Sequence, residues 1–202
     1  MKIKICGITS EEEASWLNAL GVDYAGFVLF YEKSKRNLDI QEAKSILSCL
    51  DKSITPVAVT VKPTLAQIRE IEAAGFGIIQ IHGEIPEEDM AAIRIPVWKA
   101  FNVNDLSGFP RYEQMDRVTG FVFDAQTPGS GETFDWSVLD SLPETSKQIM
   151  LAGGLGPDNV AEAIRVMGKR IDGVDTSSGV ERDDGEGKDR DKIGEFVKMV
   201  RQ

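Results

Sequence analysis

Short apolar runs alternate with amphipathic stretches along the whole chain. The runs are rich in Ile, Val, Phe and Ala, are bounded by turn residues, and predict eight strands, over 2–6, 24–30, 56–61, 77–82, 96–101, 119–124, 148–153 and 171–175. Runs of this kind suit parallel strands covered on both faces. The stretches between them predict helices over 10–20, 39–50, 64–74, 86–93, 157–167 and 189–200, with weaker periodicity over 104–115 and 136–142. Ser10 is placed as an N-cap, with Glu11, Glu12 and Glu13 complementing the helix dipole, Gly21 as the stop, and Pro157 as the start of its helix.

Eight strand-then-helix units in 202 residues leave about 25 residues each, close to the smallest (β/α)8 barrel. An open doubly wound sheet would use five or six strands. No linker or low-complexity tract marks a boundary, so residues 1–202 are expected to form one α/β barrel domain. The 23 Lys+Arg against 33 Asp+Glu give a net charge of −10, which argues against a nucleic-acid partner. No apolar stretch approaches the roughly 18 to 20 residues that span a bilayer, and the N-terminus leads straight into a helix-start signal, so a cytoplasmic protein with no membrane partner is expected. Two cysteines and one histidine give no disulfide framework or Cys/His metal site. The chemistry is therefore expected to run without cofactor or metal, on Asp, Glu, Lys, Cys and backbone groups.

In such barrels the active site lies at the C-terminal strand ends. Those positions hold Cys6, the turn Lys33-Ser34-Lys35-Arg36, His82, Asp124, Gly129-Ser130-Gly131, Gly153-Gly154 and Asp175-Thr176-Ser177-Ser178-Gly179. Strand alternation puts Lys2, Lys4 and Cys6 on one face and Ile3 and Ile5 on the other. It likewise sets Gly120, Val122 and Asp124 against Phe121 and Phe123. With the apolar sets facing the helices, Cys6 and Asp124 point into the barrel mouth. Lys4 below Cys6 is expected to lower the thiol pKa and supply a base, and apolar neighbours to raise Asp124 so that it serves as an acid. Each also has an ordinary reading: Cys6 as a small buried hydrophobe, like the helical Cys49; Asp124 as a loop cap; His82 as a hydrogen-bonded structural ring; Lys33 to Arg36 as a solvated turn. In an acidic chain, however, that turn is where an anion would be clamped, with Arg36 offering a fork that matches a carboxylate. The two glycine loops, at Gly153-Gly154 and at Ser177-Ser178-Gly179, sit where barrels bind phosphate through backbone N–H groups.

The chain resembles the phosphoribosylanthranilate isomerases of tryptophan biosynthesis. The resemblance is carried by Lys4-Ile5-Cys6-Gly7-Ile8-Thr9, Gly26-Phe27-Val28 with Lys33 to Arg36, Val57-Ala58-Val59, Gln80-Ile81-His82-Gly83, Asp124 leading to Gly129-Ser130-Gly131 and Thr133-Phe134-Asp135-Trp136, Leu151 to Leu155 with Asn159-Val160, and Ser177 to Glu181 with Lys188-Asp189. It implies an Amadori rearrangement of N-(5-phosphoribosyl)anthranilate with Asp124 as acid and Cys6 as base. It further implies Arg36 at the anthranilate carboxylate, Gly153, Gly154, Ser177, Ser178 and Gly179 at the phosphate, a supporting Asp175, and a monomer or homodimer. Departures from the family pattern are the short loop with Pro128 before Gly129, Thr60 in place of an aromatic, and Thr176 in place of valine. The competing readings are a related phosphate-binding barrel isomerase of histidine biosynthesis, an indole-forming synthase, and a non-catalytic barrel scaffold. Cys6 stands where the histidine enzyme is expected to carry an aspartate.

Overall fold

The structure, a computed structural model, describes residues 1–125 and 135–202. Gly129, Ser130, Gly131, Pro128, Thr133 and Phe134 lie outside the described residues. The strands are β1 (Lys2–Cys6), β2 (Tyr24–Leu29), β3 (Asn37–Leu38), β4 (Thr55–Val61), β5 (Ile78–His82), β6 (Val97–Asn102), β7 (Val118–Asp124), β8 (Gln148–Leu151) and β9 (Gly173–Thr176). All pair in parallel, in the order β1-β9-β8-β7-β6-β5-β4-β2, and β1 also pairs with β2, closing an eight-stranded barrel. The helices are α1 (Glu11–Leu20), α2 (Ile40–Leu47), α3 (Leu65–Ala74), α4 (Glu87–Ala92), α5 (Phe109–Glu113), α6 (Val160–Met167) and α7 (Arg190–Val200). The fold is the (β/α)8 barrel that the spacing of apolar runs predicts.

Local signals explain most element ends. Ser10 accepts a hydrogen bond from the Glu13 N–H, and Gly21 stops α1 in the left-handed region at φ 62°. Asp39 and Glu42 close a capping box on α2, and Thr64 and Gln67 do the same on α3. Some ends differ from the pattern. β2 stops at Leu29 because Phe30 turns to φ 58°. Pro157 does not start α6; residues 157–159 form a turn, and the helix begins at Val160. The weak stretches shrink to the five residues of α5 and a 3-10 helix at Trp136–Ser141. β3 adds two residues to the edge of β2, pairing Asn37 with Val28, and is too short to show a period.

Two apolar layers hold the barrel. The outer one packs Ile3 and Ile5 of β1 and Phe121 and Phe123 of β7 against the helices. Phe109 of α5 lies 4.6 Å from Phe121 and 6.2 Å from Phe123, ring centre to ring centre. Burying each such ring stabilises the fold by roughly 1.5–3 kcal/mol, and that fixes which face of β7 points outward. The inner layer is Val57, Val59, Trp98, Ala100, Val122, Met150 and Ala152, with Cys6 packed against it. Alternation therefore works as read: anchoring Phe121 and Phe123 leaves Val122 and Asp124 facing the interior.

Candidate active site

Above the inner apolar layer, at the C-terminal strand ends, lies a cavity of about 410 Å³. Cys6, Arg36, His82, Asp124, Gly153, Gly154, Asp175, Ser177 and Ser178 all line it, brought from β1, the β2–β3 turn, β5, β7, β9 and the loops after β8 and β9. Gly179 does not reach the wall. It lets two loops meet, because a Cβ there would overlap the Leu155 carbonyl and sit 2.8 Å from Gly156 Cα.

The floor is charged and buried. Lys4 and Asp175 form a buried ion pair, Nζ to Oδ2 2.7 Å, across the β1–β9 seam. Burial alone would push the Lys4 ammonium down, yet Asp175 and Cys6 together hold it above its usual value. Asp175 is among the residues that line the cavity, and its Oδ1 is buried with no hydrogen-bond partner among the described residues. The Cys6 thiol does not sit low as its lysine neighbour suggested. Burial is the largest influence and raises it, Lys4 and Lys188 pull it down, Asp175 pushes it up, and the net direction is upward. Burial and a carboxylate outweigh the two ammonium groups.

Asp124 behaves as its apolar surroundings predict. Burial, then the charge of Asp175, raise its carboxyl to about 6, against the opposing hydrogen bond from the Ala125 N–H at 2.9 Å and the pull of Lys4. His82 is pushed down to about 4 by burial and by Lys99 and Lys4, so its ring is neutral at pH 7. The Gln80 amide Nε2 lies 3.0 Å from His82 Nε2 and donates to it, while Gln80 Oε1 is buried with no partner among the described residues. In the sequence Gln80 stood only as part of a motif, with no role, although it lies two residues before His82 and so shares its inward face. Val28 and Val59 likewise had no role there, and Tyr31 and Val61 were not named; together the four give one side of the cavity an apolar wall.

Across from that wall, Gly153 and Gly154 take φ 85° and 63°. A Cβ on Gly153 would lie 2.5 Å from the Ala125 amide nitrogen, so the loop closes only on glycine. Asn159 braces it, accepting from the Gly156 N–H and donating to the Gly154 carbonyl, each at 2.9 Å. Thr176 Oγ1 donates to the Leu155 carbonyl at 2.5 Å, tying this loop to the one after β9. The valine-to-threonine departure thus adds a strut. Thr60 bonds the Gln80 carbonyl at 3.2 Å and is not part of the cavity wall. No acceptor among the described residues takes the amides of Gly154, Ser178 or Gly179, so an anion there would meet backbone donors. Of the positive turn, Ser34 and Arg36 line the cavity; Lys33 is exposed and Lys35 pairs with Glu181.

Fold and site together define a (β/α)8-barrel enzyme for a small anionic substrate, with titratable side chains and backbone donors gathered in one pocket. The family described as N-(5'phosphoribosyl)anthranilate (PRA) isomerase matches residues 3–199. The N-(5'-phosphoribosyl)anthranilate isomerase of Thermoanaerobacter pseudethanolicus is 36% identical over 208 residues, spanning 100% of this chain and 98% of the relative. The solved phosphoribosyl anthranilate isomerase of Thermotoga maritima superposes with a TM-score of 0.87 at 35% identity, covering 100% of this chain and 98% of the other. A further solved isomerase, in complex with reduced 1-(o-carboxyphenylamino)-1-deoxyribulose 5-phosphate, gives a TM-score of 0.83 at 34% identity, with coverage of 100% and 98%. The chain belongs to the N-(5'-phosphoribosyl)anthranilate isomerase family, and so to the isomerases of tryptophan biosynthesis. No helix among the described residues is long and apolar enough to cross a membrane.

Proposed function

We propose that this chain converts N-(5-phosphoribosyl)anthranilate to 1-(2-carboxyphenylamino)-1-deoxyribulose 5-phosphate, with Asp124 as general acid and Cys6 as general base. The observation that carries the assignment is one cavity holding a raised carboxyl and a thiol, with Asp175 acting on both. Asp124 gives its proton to the furanose oxygen as the C1–O bond breaks, and the nitrogen lone pair closes a Schiff base. The Cys6 thiolate then takes the proton from C2, and the electron pair moves toward nitrogen to leave an enolamine. Tautomerisation places a proton on C1 and leaves the ketone at C2, so the product is an isomer of the substrate. Asp175 supports the pair through its charge, which raises both the Asp124 carboxyl and the Cys6 thiol.

The substrate's two anionic ends find different hosts. Arg36 faces the anthranilate carboxylate, and the loops at Gly153-Gly154 and Ser177-Ser178 take the phosphate through backbone donors, with Gly179 behind them letting the two loops meet. The apolar wall of Val28, Tyr31, Val59 and Val61, with neutral His82 at its edge, accepts the anthranilate ring. The whole chain acts as one domain, in the cytoplasm. The test is loss of anthranilate-substrate fluorescence on adding the purified protein, backed by rescue of an isomerase-deficient tryptophan auxotroph. Well-folded protein with neither activity would return the chain to a binding or scaffold role.

A further inference from the structure

Behind the cavity wall, one carboxylate gathers three cations. Glu181, its side chain 9% exposed, takes Arg36 Nε at 2.5 Å and Lys188 Nζ at 3.3 Å on Oε1, and Lys35 Nζ at 2.9 Å on Oε2. Lys188, with a fully buried side chain, also donates to the Ser177 carbonyl at 3.0 Å and the Ser177 hydroxyl at 3.2 Å. Arg36 reaches this anchor by crossing Gly7, where any Cβ would strike its Cδ and where φ is 76°. Bound through Nε, the guanidinium keeps both Nη groups free of acceptors among the described residues, and Arg36 belongs to the cavity wall.

We propose that Glu181 is a positioning residue: by holding Arg36 through Nε it aims both Nη groups at the substrate's carboxylate, which makes it a determinant of specificity for carboxylated substrates. The inference rests on the proposed function above. A guanidinium presents its donors in a rigid fork, so fixing one edge orients the other. Arg36 and Lys188 share one oxygen, and without the negative charge between them the two cations repel and the fork turns away. Glu181 stays ionised throughout the neutral range, since these cations hold it down to about 2 against the opposing effect of burial.

The test compares two ligands by titration calorimetry: reduced 1-(o-carboxyphenylamino)-1-deoxyribulose 5-phosphate, and its aniline counterpart lacking the ring carboxylate. Glu181→Ala is expected to weaken the first at least tenfold and the second less than twofold. Glu181→Gln, which keeps an acceptor oxygen and the side-chain size but not the charge, should fall between wild type and Glu181→Ala on the first ligand only; should the alanine variant not fold, it carries the test alone. Arg36→Ala combined with either variant should add little to Arg36→Ala alone. Equal weakening of both ligands, or of neither, would overturn the proposal and leave Glu181 a structural anchor. Wild-type protein that binds neither ligand would overturn the reading of the pocket itself, and this inference with it.

Discussion

At neutral pH the two proposed proton-transfer groups, Asp124 and Cys6, stand in the opposite of their reactive states. With a carboxyl pKa of about 6, roughly a tenth of Asp124 is protonated at pH 7, and the raised Cys6 thiol is mostly protonated. The active fraction therefore holds a minority acid and a minority base, and a plateau in kcat/KM from about pH 6 up to the thiol's own pKa follows. The lone histidine does not supply the limb near 6, because His82 titrates at about 4. Removing either proton-transfer group should cost about two to three orders of magnitude in kcat, with far-ultraviolet circular dichroism unchanged; near-native turnover by Cys6→Ser would remove the base assignment. Arg36→Ala should mainly raise KM, by tenfold or more if a charge-assisted fork worth roughly 1.5–3 kcal/mol is lost. Steady-state kinetics separate this from an effect on kcat. Cys6, Asp124 and Arg36 were legible in sequence because strand alternation and a local charge contrast mark them. The direction of the Cys6 shift was not, since it depends first on how deeply the closed barrel buries the thiol and then on Asp175, which β9 brings beside Lys4 from 171 positions away.

Strand β6 carries a group that the pattern of apolar runs left unremarked. Lys99, 3% exposed, donates to the Ala100 carbonyl at 2.6 Å and lies 4.6 Å and 5.0 Å from the ring centres of Phe101 and Tyr112. Burial pushes its ammonium down to about 8, with Glu84 and Asp105 opposing weakly. Because the folded value lies below the ordinary 10.5, the charged side chain costs stability below pH 8, and the cost fades as pH rises toward 10.5. Lys99→Met should accordingly stabilise the protein at pH 7, by up to about 3 kcal/mol before the lost ring and carbonyl contacts are subtracted, seen as a higher Tm, and its advantage over wild type should shrink between pH 8 and 10.5. A Tm that falls would show that the aromatic contacts and carbonyl bond outweigh burial. Elements with strong caps, such as α1 and α3, ended where the sequence placed them. Those set by tertiary contact did not: Asn159 rather than Pro157 precedes α6, because its side chain is committed to the glycine loop that holds the cavity.

Closure of the barrel joins the first and last strands through a buried pair that also forms the pocket floor. Lys4 to Asp175 crosses the β1–β9 seam, so the bond that shuts the barrel shapes the field on Cys6 and Asp124. Asp175→Asn leaves Lys4 buried without its counterion and should cost about 3–5 kcal/mol in urea unfolding, whereas Lys4→Met with Asp175→Asn should cost less than the two single losses combined. The whole architecture was readable because eight repeating units admit little besides a closed barrel, and a net charge of −10 is compatible with an anionic substrate where backbone N–H groups without acceptors among the described residues stand at the pocket. Glu181 stayed out of the reading of the site because its partners come from separate loops. The central claim, that Asp124 is the acid and Cys6 the base of one rearrangement, is tested most directly by kcat/KM on phosphoribosylanthranilate against pH for wild type and Asp124→Asn. Wild type should level off near pH 6, and the residual activity of Asp124→Asn should climb through that point with unit slope toward the thiol pKa. An unchanged break near 6 in the variant would contradict the account.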